Sequence, residues 1–333
     1  MPLDISRRRF LGTGGTALAL AAGAPALLAQ PGRPGAFAPD RELMVPVEGG
    51  RVYVRINGDL AGPRPPVLMI HGGPGSVHSG FLNALPLADE RAVILYDQLD
   101  SGRSDAPNDP ANWRVPRFVG EVDSIRRALG IERLHVLGGS WGGTIALEYG
   151  ARRPAGLASL VLQSPLVSTR SWIADANALV RQLPSDTQAT IAACDQPGPP
   201  PPERCEDVTN AYNARFLSRV PVRPEAQAYR AAMPIPFNTR LYETMWGRTE
   251  FVSTGTLRDY DGEPLLARLD GPRTLFVVGQ HDEARPATVH DFAVRTPGSA
   301  FAVVEDSAHR IFNDNPEAFI ALLRRWFRRH DAA

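Results

Sequence analysis

Short apolar runs alternate with longer helical stretches along most of the chain. Five of the runs are continuous and rich in branched residues: Val67–Ile70, Ala92–Tyr96, Leu134–Leu137, Leu160–Leu162 and Thr274–Val278. Continuous runs of this kind predict strands that are buried on both faces, as in a parallel sheet. Helical stretches lie between them, for example over residues 118–129 and 144–152. The alternation predicts an α/β fold with a mostly parallel, doubly wound sheet.

The pattern changes between residues 169 and 249. Helical stretches with many prolines and aromatic residues occur there, no convincing strand is visible, and the proline-rich segment Pro197–Pro202 interrupts them. The sequence therefore predicts a helical cap over residues 169–249, inserted between a first core segment over 40–168 and a second over 250–333. We interpret Pro197–Pro202 as a loop in this cap rather than as a polyproline ligand.

The first 29 residues have the order of a cleaved export signal. The basic start Arg7–Arg9 is followed by Phe10–Leu11, then by the uncharged, mildly apolar run Gly12–Leu28, with small residues near its end at Ala26 and Ala29. Paired arginines before Phe-Leu and a weakly hydrophobic run resemble a twin-arginine signal. An uncleaved membrane anchor is the alternative, although the run barely reaches spanning length. We expect an exported protein, periplasmic or secreted, with no stable membrane association after cleavage.

Composition narrows the classes of partner and of chemistry. The 333 residues carry 36 arginines and 36 acidic residues and contain no lysine. This balance leaves no net positive charge that would attract nucleic acid. The lack of lysine excludes Schiff-base and Ser-Lys mechanisms. The two cysteines, Cys194 and Cys205, cannot form a disulfide framework or a four-thiolate zinc site. An oxidising compartment favours a disulfide between them, and two free thiols are the alternative.

The segment from Leu134 to Gly143 carries the most informative motif. A predicted strand leads into Gly138-Gly-Ser140-Trp-Gly142, and a predicted helix follows at once. This is the arrangement of a nucleophile elbow, which exposes a serine above the carboxyl edge of the sheet. Ser140 is the candidate nucleophile, and the N–H of Trp141 is a candidate oxyanion donor. The glycine-rich loop after Val67–Ile70 makes the N–H of Gly73 the candidate second donor.

An acid and a base are expected after the serine in chain order. Asp282 follows the predicted strand Thr274–Val278, and His309 follows the next predicted strand. The order Ser140, Asp282, His309 is that of an α/β-hydrolase, in which His309 takes the serine proton and Asp282 orients the imidazole. Glu305 and Asp306 lie too near His309 in sequence to orient it from a separate loop. No metal-ligand spacing is visible, and we expect no metal and no other cofactor.

Several motifs in the same order resemble the proline iminopeptidase family of α/β-hydrolases. They are His71-Gly-Gly-Pro-Gly75, Tyr96-Asp-Gln98 with Gly102-Arg-Ser104, Gly138-Gly-Ser140-Trp-Gly142 and Gly279-Gln-His-Asp282-Glu283-Ala284. The segment from Met245 to Phe251 most resembles the branch that contains the tricorn-interacting aminopeptidase. In that branch two glutamates bind the free α-amino group of the substrate, and Glu250 and Glu283 are the matching positions. The resemblance implies an α/β-hydrolase fold with a helical cap, covering roughly residues 45–330.

Two positions depart from the family pattern. The Asp-Gln-x-Gly-x-Gly motif reads Asp97-Gln-Leu-Asp100-Ser-Gly102, so an aspartate replaces a turn glycine, and Arg248 stands where a proline is usual. Both changes are expected near the pocket, where they bear on how strictly proline is selected.

The leading functional hypothesis is a serine aminopeptidase that releases N-terminal proline or another small apolar residue from short peptides. Buried carboxylates suit this activity, because a substrate ammonium compensates their charge. An amidase acting on amino-acid amides with a free N-terminus is the second hypothesis, and a carboxylesterase or xenobiotic amide hydrolase is the third. A catalytically silent binding protein on the same scaffold is the alternative from another class.

Overall fold

The computed structural model describes Gly35 and residues 37–332, so the predicted export signal over residues 1–29 lies outside the described residues. The compact unit considered below begins at Pro39. Its strands are β1 (Arg41–Val47), β2 (Gly50–Asn57), β3 (Val67–Ile70), β4 (Val93–Tyr96), β5 (Leu134–Gly139), β6 (Leu157–Gln163), β7 (Thr274–Gly279) and β8 (Ala300–Val304).

The described strands form one sheet in the order β1-β2-β4-β3-β5-β6-β7-β8. Neighbouring strands from β4 through β3 to β8 run parallel, whereas β1 and β2 are antiparallel to their neighbours. Every residue of β3, β4, β5 and β7 is buried, which explains why these strands read as unbroken apolar runs. The predicted α/β fold with a mostly parallel sheet is confirmed.

The hairpin formed by β1 and β2 was not predicted as strands. Strand β1 is an edge strand in which only Val45 is buried, with four exposed or half-buried residues before it and two after it, and it carries charged residues. Such an edge lacks the continuous apolar run that marks the inner strands. The turn contains Gly49 with φ +87°, a conformation that favours glycine.

Helices of the core pack against the sheet and against each other. They are α1 (Val115–Ala128), α2 (Trp141–Ala151), α8 (Pro286–Val294), α9 (Ile311–Asp314) and α10 (Pro316–His330), with 3-10 helices at His78–Asp89, Pro110–Asn112, Glu263–Arg268 and Gly271–Arg273. Helix α2 contacts β3, β5 and β6 and lies beside α1, while α8 packs on β7. Helix α2 begins at Trp141, three residues before the predicted start at Thr144, because its first turn follows Ser140 without a linker.

Five α-helices lie between β6 and β7, a stretch that the structure describes throughout. They are α3 (Thr169–Val180), α4 (Ser185–Cys194), α5 (Pro202–Phe216), α6 (Pro224–Ala231) and α7 (Thr239–Met245). We refer to residues 169–249 as the cap. A separate apolar cluster holds α3, α4 and α5 together and includes Leu179, Ile191, Tyr212 and Phe216.

Cys194 and Cys205 form a disulfide, with an S–S distance of 2.08 Å. The bridge joins the last residue of α4 to the first turns of α5, across the proline-rich loop. The bridge that the sequence favoured is therefore present. Among the described residues, no helix is both long and apolar enough to cross a membrane.

We expect reduction of this disulfide to lower the free energy of unfolding by up to about 3 kcal/mol, because a bridge across a short loop restricts the unfolded chain. Thermal unfolding with and without dithiothreitol measures the effect. The double variant Cys194→Ser, Cys205→Ser is the matched control and should not respond to the reductant. A wild-type melting curve unchanged by full reduction would contradict the prediction.

Candidate active site

Ser140 lies on a sharp turn between β5 and α2. Its backbone has φ +57° and ψ −123°, and its N–H donates a hydrogen bond to the carbonyl of Gln163. A Cβ on Gly138 would lie 2.1 Å from the carbonyl oxygen of Gly142, and a Cβ on Gly142 would lie 2.0 Å from that of Ile70. Both glycines are therefore required by close backbone approach, as a nucleophile elbow demands.

The loop after β3 lies directly beside the elbow. A Cβ on Gly72 would lie 3.0 Å from the Cβ of Ser140, and Gly73 has φ +115°. Trp141 is the first residue of α2, so its N–H has no acceptor within the helix. The structure thus brings both predicted oxyanion donors, Gly73 and Trp141, to positions flanking Ser140.

Gln98 holds the loop and the elbow together, a role that the sequence did not reveal. Its Nε2 donates to the carbonyl of His71 at 2.8 Å, and its Oε1 accepts from the indole Nε1 of Trp141 at 2.9 Å. Its backbone N–H also donates to His71 Nε2 at 3.0 Å. Burial lowers the pKa of His71 to about 4, so this ring is a neutral acceptor.

Asp282 and His309 meet as the sequence predicted. His309 Nδ1 lies 2.8 Å from Asp282 Oδ1, which also accepts the N–H of Ala284. Asp282 Oδ2 accepts the N–H of Gly279 at 3.0 Å and the hydroxyl of Ser164 at 2.5 Å. Four donors therefore fix this carboxylate and, through it, the orientation of the imidazole.

Ser164 was missed by sequence reasoning. It follows β6 directly, has φ +46° and is fully buried. A small hydroxyl residue at the carboxyl end of a buried strand is the signal that could have found it, since the carboxyl ends of parallel strands meet at one edge of the sheet.

Ser140 and His309 line one cavity of about 510 Å³, together with Gly73, Glu250 and Glu283. Within the described residues, Ser140 Oγ makes no hydrogen bond to His309. The Nε2 atom of His309 instead faces Glu283 Oε1 at 3.7 Å. Catalytic hydrogen bonds are often long in a free enzyme and shorten when substrate binds.

The two glutamates differ in their partners. Glu250 accepts a hydrogen bond from the hydroxyl of Tyr242 on α7. Glu283 is 3% exposed, and its Oε2 has no hydrogen-bond partner. Burial raises the pKa of both carboxyl groups, which means that their charged forms lack full compensation in the free protein.

Opposing effects act on His309. Burial alone would lower the pKa of its imidazole, but the charges of Asp282, Glu283 and Glu250 outweigh burial and raise it. The ring of Trp172, on α3 of the cap, packs edge-on against the imidazole with 5.6 Å between ring centroids. The predicted base His309 therefore lies in an acidic, partly apolar setting.

Backbone hydrogen bonds join the cap to the loops of this site. The carbonyl of Phe216 accepts the N–H groups of both Glu283, at 3.1 Å, and His309, at 3.2 Å. The N–H of Asn238 donates to the carbonyl of Gly75 at 2.9 Å. The end of α5 and the start of α7 are thus tied to the acid, base and oxyanion loops.

The two departures from the family pattern lie outside the cavity wall. Asp100 has φ 65°, the conformation that the replaced glycine would adopt, and its carboxylate accepts hydrogen bonds from the indole of Trp113 and the N–H of Asn108. Arg248 is exposed to solvent. Neither residue is among those that line the cavity with Ser140 and His309, so an effect on proline selection would have to be indirect.

The site offers no cluster for a metal. Among the described residues, no group of three or more His, Cys, Asp or Glu side chains is arranged to hold an ion. The groups in the cavity are a serine, an imidazole paired with a carboxylate, and two further carboxylates. Such an arrangement suits nucleophilic acyl transfer.

The fold and the site together define a hydrolase of the alpha/beta hydrolase fold, whose family model matches residues 65–316. A proline iminopeptidase of Heyndrickxia coagulans is 37% identical over 287 residues, which are 85% of this chain and 96% of that protein. One of Levilactobacillus brevis is 34% identical, over 87% of this chain and 97% of its own length. The crystal structure of a Mycobacterium smegmatis proline iminopeptidase superposes with a TM-score of 0.78 at 32% identity, covering 88% and 99% of the two chains. The chain belongs to the proline iminopeptidase family.

We expect Glu283→Gln to lower the pKa of His309, because it removes a carboxylate charge 3.7 Å from Nε2. Nuclear magnetic resonance of protein labelled with nitrogen-15 in its histidine rings follows the titration. Wild-type His309 should titrate above the ordinary value of about 6.5.

Glu305→Gln is the matched control for this titration. It removes an exposed carboxylate four positions before His309 in the chain. Indistinguishable His309 titrations in the two variants would show that Glu283 does not set the charge state of the base.

Proposed function

We propose that the protein is a serine aminopeptidase that releases N-terminal proline, or another small apolar residue, from short peptides. Membership of the proline iminopeptidase family supports this activity. The observation that carries it furthest is the unpartnered Oε2 of buried Glu283, in the cavity that also contains Ser140 and His309. Within the family, Glu250 and Glu283 favour the branch that contains the tricorn-interacting aminopeptidase.

The two glutamates provide a site for a free α-amino group. A buried carboxylate is costly unless a cation compensates it, and a substrate ammonium supplies that charge. Tyr242 donates a hydrogen bond to Glu250, while Oε2 of Glu283 is buried and has no hydrogen-bond partner. A peptide bond within a chain carries no such charge, so the site favours the first residue of a peptide.

Catalysis proceeds by acyl transfer. Ser140 Oγ attacks the carbonyl carbon after the first residue, and His309 accepts the hydroxyl proton. The N–H groups of Gly73 and Trp141 stabilise the oxyanion. Cleavage of the C–N bond transfers the proton from His309 to the leaving amine, and water then hydrolyses the ester on Ser140. Asp282 holds the imidazole throughout.

Substrate binding also prepares the base. The carboxylates raise the pKa of His309, and this favours the imidazolium form, which cannot accept a proton from serine. An ammonium group between Glu250 and Glu283 offsets their charge and lowers the pKa of His309. The imidazole then becomes neutral in the complex, where Ser140 needs it.

We expect hydrolysis of proline p-nitroanilide and no hydrolysis of its N-acetyl form. Glu283→Gln and Glu250→Gln should each reduce kcat/KM for the free-amine substrate about 100-fold, because breaking a buried charge pair costs about 2–5 kcal/mol. Ser140→Ala should abolish activity, and Glu305→Gln, an exposed carboxylate, is the control for each glutamate variant.

Other outcomes identify the alternative activities. Equal cleavage of p-nitrophenyl acetate and of the blocked anilide, insensitive to both glutamate variants, would rule out amine recognition and favour an esterase or amide hydrolase. Efficient cleavage of prolinamide with no cleavage of prolyl dipeptides would favour an amino-acid amidase.

We propose further that the protein is exported by the twin-arginine route and acts in the periplasm or outside the cell. The order of residues 1–29 supports this, and the disulfide Cys194–Cys205 suits an oxidising compartment.

We expect the double variant Arg7→Lys, Arg8→Lys to accumulate as precursor in the cytoplasm of a host with twin-arginine export, because the paired arginines identify the route. Cell fractionation and immunoblotting measure the distribution. Arg9→Lys keeps the pair intact and should be exported normally. Equal export of both variants would contradict a twin-arginine signal.

A further inference from the structure

Two arginines line the catalytic cavity, and the mechanism above uses neither of them. Arg230 belongs to α6 of the cap, and Arg310 follows His309 directly in the chain. A cation is not needed to bind an ammonium group, and it opposes that binding if placed close to it. These arginines are therefore suited to bind a part of the substrate other than its amino group.

Both guanidinium groups lack a carboxylate partner within the described part of the chain. Arg230 donates from Nε to the carbonyl of Pro236 at 3.0 Å, which leaves its two terminal nitrogens free of hydrogen bonds. The side chain of Arg310 makes no hydrogen bond there, and the carboxylate of nearby Asp314 is occupied by Ser218 and by the N–H groups of Val220 and Ala308.

The surroundings disfavour the two charges. Both guanidinium groups line one cavity, where Arg230 is half-buried and Arg310 is exposed to solvent. Burial lowers the pKa of both groups and the charge of Arg310 lowers the pKa of Arg230 further, while the charges of Glu283 and Asp314 act in the opposite direction on Arg310. Two cations that line one cavity with no carboxylate hydrogen-bonded to either are stabilised by a ligand that brings a negative charge, and a carboxylate fits the planar guanidinium with paired hydrogen bonds.

The position of Arg310 indicates which carboxylate this is. His309 Nε2 delivers its proton to the leaving nitrogen, so the released peptide begins beside His309, in the cavity that Arg310 also lines. In a dipeptide the carboxylate carbon lies only about 2.5 Å from the leaving nitrogen, and each added residue moves it at most about 3.6 Å further. Arg310 adjoins His309 in the chain and lines the same cavity, which makes it a candidate partner for a carboxylate so near the leaving nitrogen.

We infer that Arg230 and Arg310 form a subsite for the carboxylate of the leaving group, so that the enzyme selects prolyl dipeptides and tripeptides over longer or C-terminally blocked peptides. This inference rests on the proposed aminopeptidase function. The cavity then binds a substrate at both of its charges, the ammonium on Glu250 and Glu283 and the carboxylate on the two arginines.

The test compares prolyl-glycine with prolyl-glycinamide, which share the scissile bond and differ only in the terminal charge. We expect wild-type kcat/KM to favour the free acid, and Arg230→Gln or Arg310→Gln to reduce that preference about tenfold each, as expected for a charge-assisted hydrogen bond. Because the readout is a ratio of two substrates, general damage to catalysis cancels. Arg310→Lys should restore part of the preference.

Arg219→Gln is the matched control, since it removes an exposed cap arginine outside the cavity wall and should keep the wild-type ratio. A second pair of substrates, the α-amides of prolyl-glutamate and prolyl-glutamine, tells whether a side-chain carboxylate also engages the arginines. Preference for glutamate that both arginine variants remove supports the carboxylate subsite with the side chain as a second source.

Two outcomes overturn the inference in different ways. The carboxylate subsite is contradicted if both glycine substrates are cleaved at equal rates, or if the preference for the free acid persists in both arginine variants. Either result leaves the aminopeptidase function intact. If none of prolyl-glycine, prolyl-glycinamide and proline p-nitroanilide is cleaved in a Ser140-dependent reaction, the proposed function is contradicted. The subsite, which rests on that function, is then contradicted as well.

Discussion

The close approach of three backbone segments at the elbow is the constraint on which the site depends. Gly142, in the first turn of α2, touches the end of β3 so closely that a single added carbon would collide with the carbonyl of Ile70. This contact forces Ser140 into its unusual backbone conformation and brings the loop after β3 against it. Nucleophile and oxyanion donors are therefore positioned by backbone packing, before any side chain contributes. Gln98 adds the polar connection between the two segments.

Two adjacent acids show how the same fold assigns opposite tasks to the same chemical group. Asp282 accepts four hydrogen bonds and orients the imidazole, whereas Oε2 of Glu283 is buried without a hydrogen-bond partner. The arginines at the cavity wall are likewise without carboxylate partners among the described residues. A site with uncompensated charges of both signs favours a small dipolar ligand, because only such a ligand compensates both at once.

The cap contributes side chains and backbone hydrogen bonds to the predicted catalytic site. It supplies Tyr242 and Arg230, and its carbonyl at Phe216 holds the backbone of both the acid and the base loops. Glu250 follows directly after its last residue. The disulfide stiffens the loop between two cap helices, at a distance in sequence from all of these groups. Changes in the cap therefore reach the chemistry through backbone hydrogen bonds as well as through the shape of the cavity.

The sequence by itself determined the inner strands, the fold class and the chain order of Ser140, Asp282 and His309. Buried parallel strands must be continuously apolar, and an elbow must have small residues at fixed positions, so both leave a local pattern. The edge strand β1 and the pairing of Gln98 with Trp141 leave no such pattern, and Ser164 leaves only a weak one, a hydroxyl residue directly after a buried strand. Contacts between residues far apart in the chain decide them. Only the tertiary structure brought Arg230 and Arg310 to one cavity with no carboxylate hydrogen-bonded to either among the described residues. Whether a charged side chain has a partner depends on the three-dimensional arrangement and cannot be read from the order of residues.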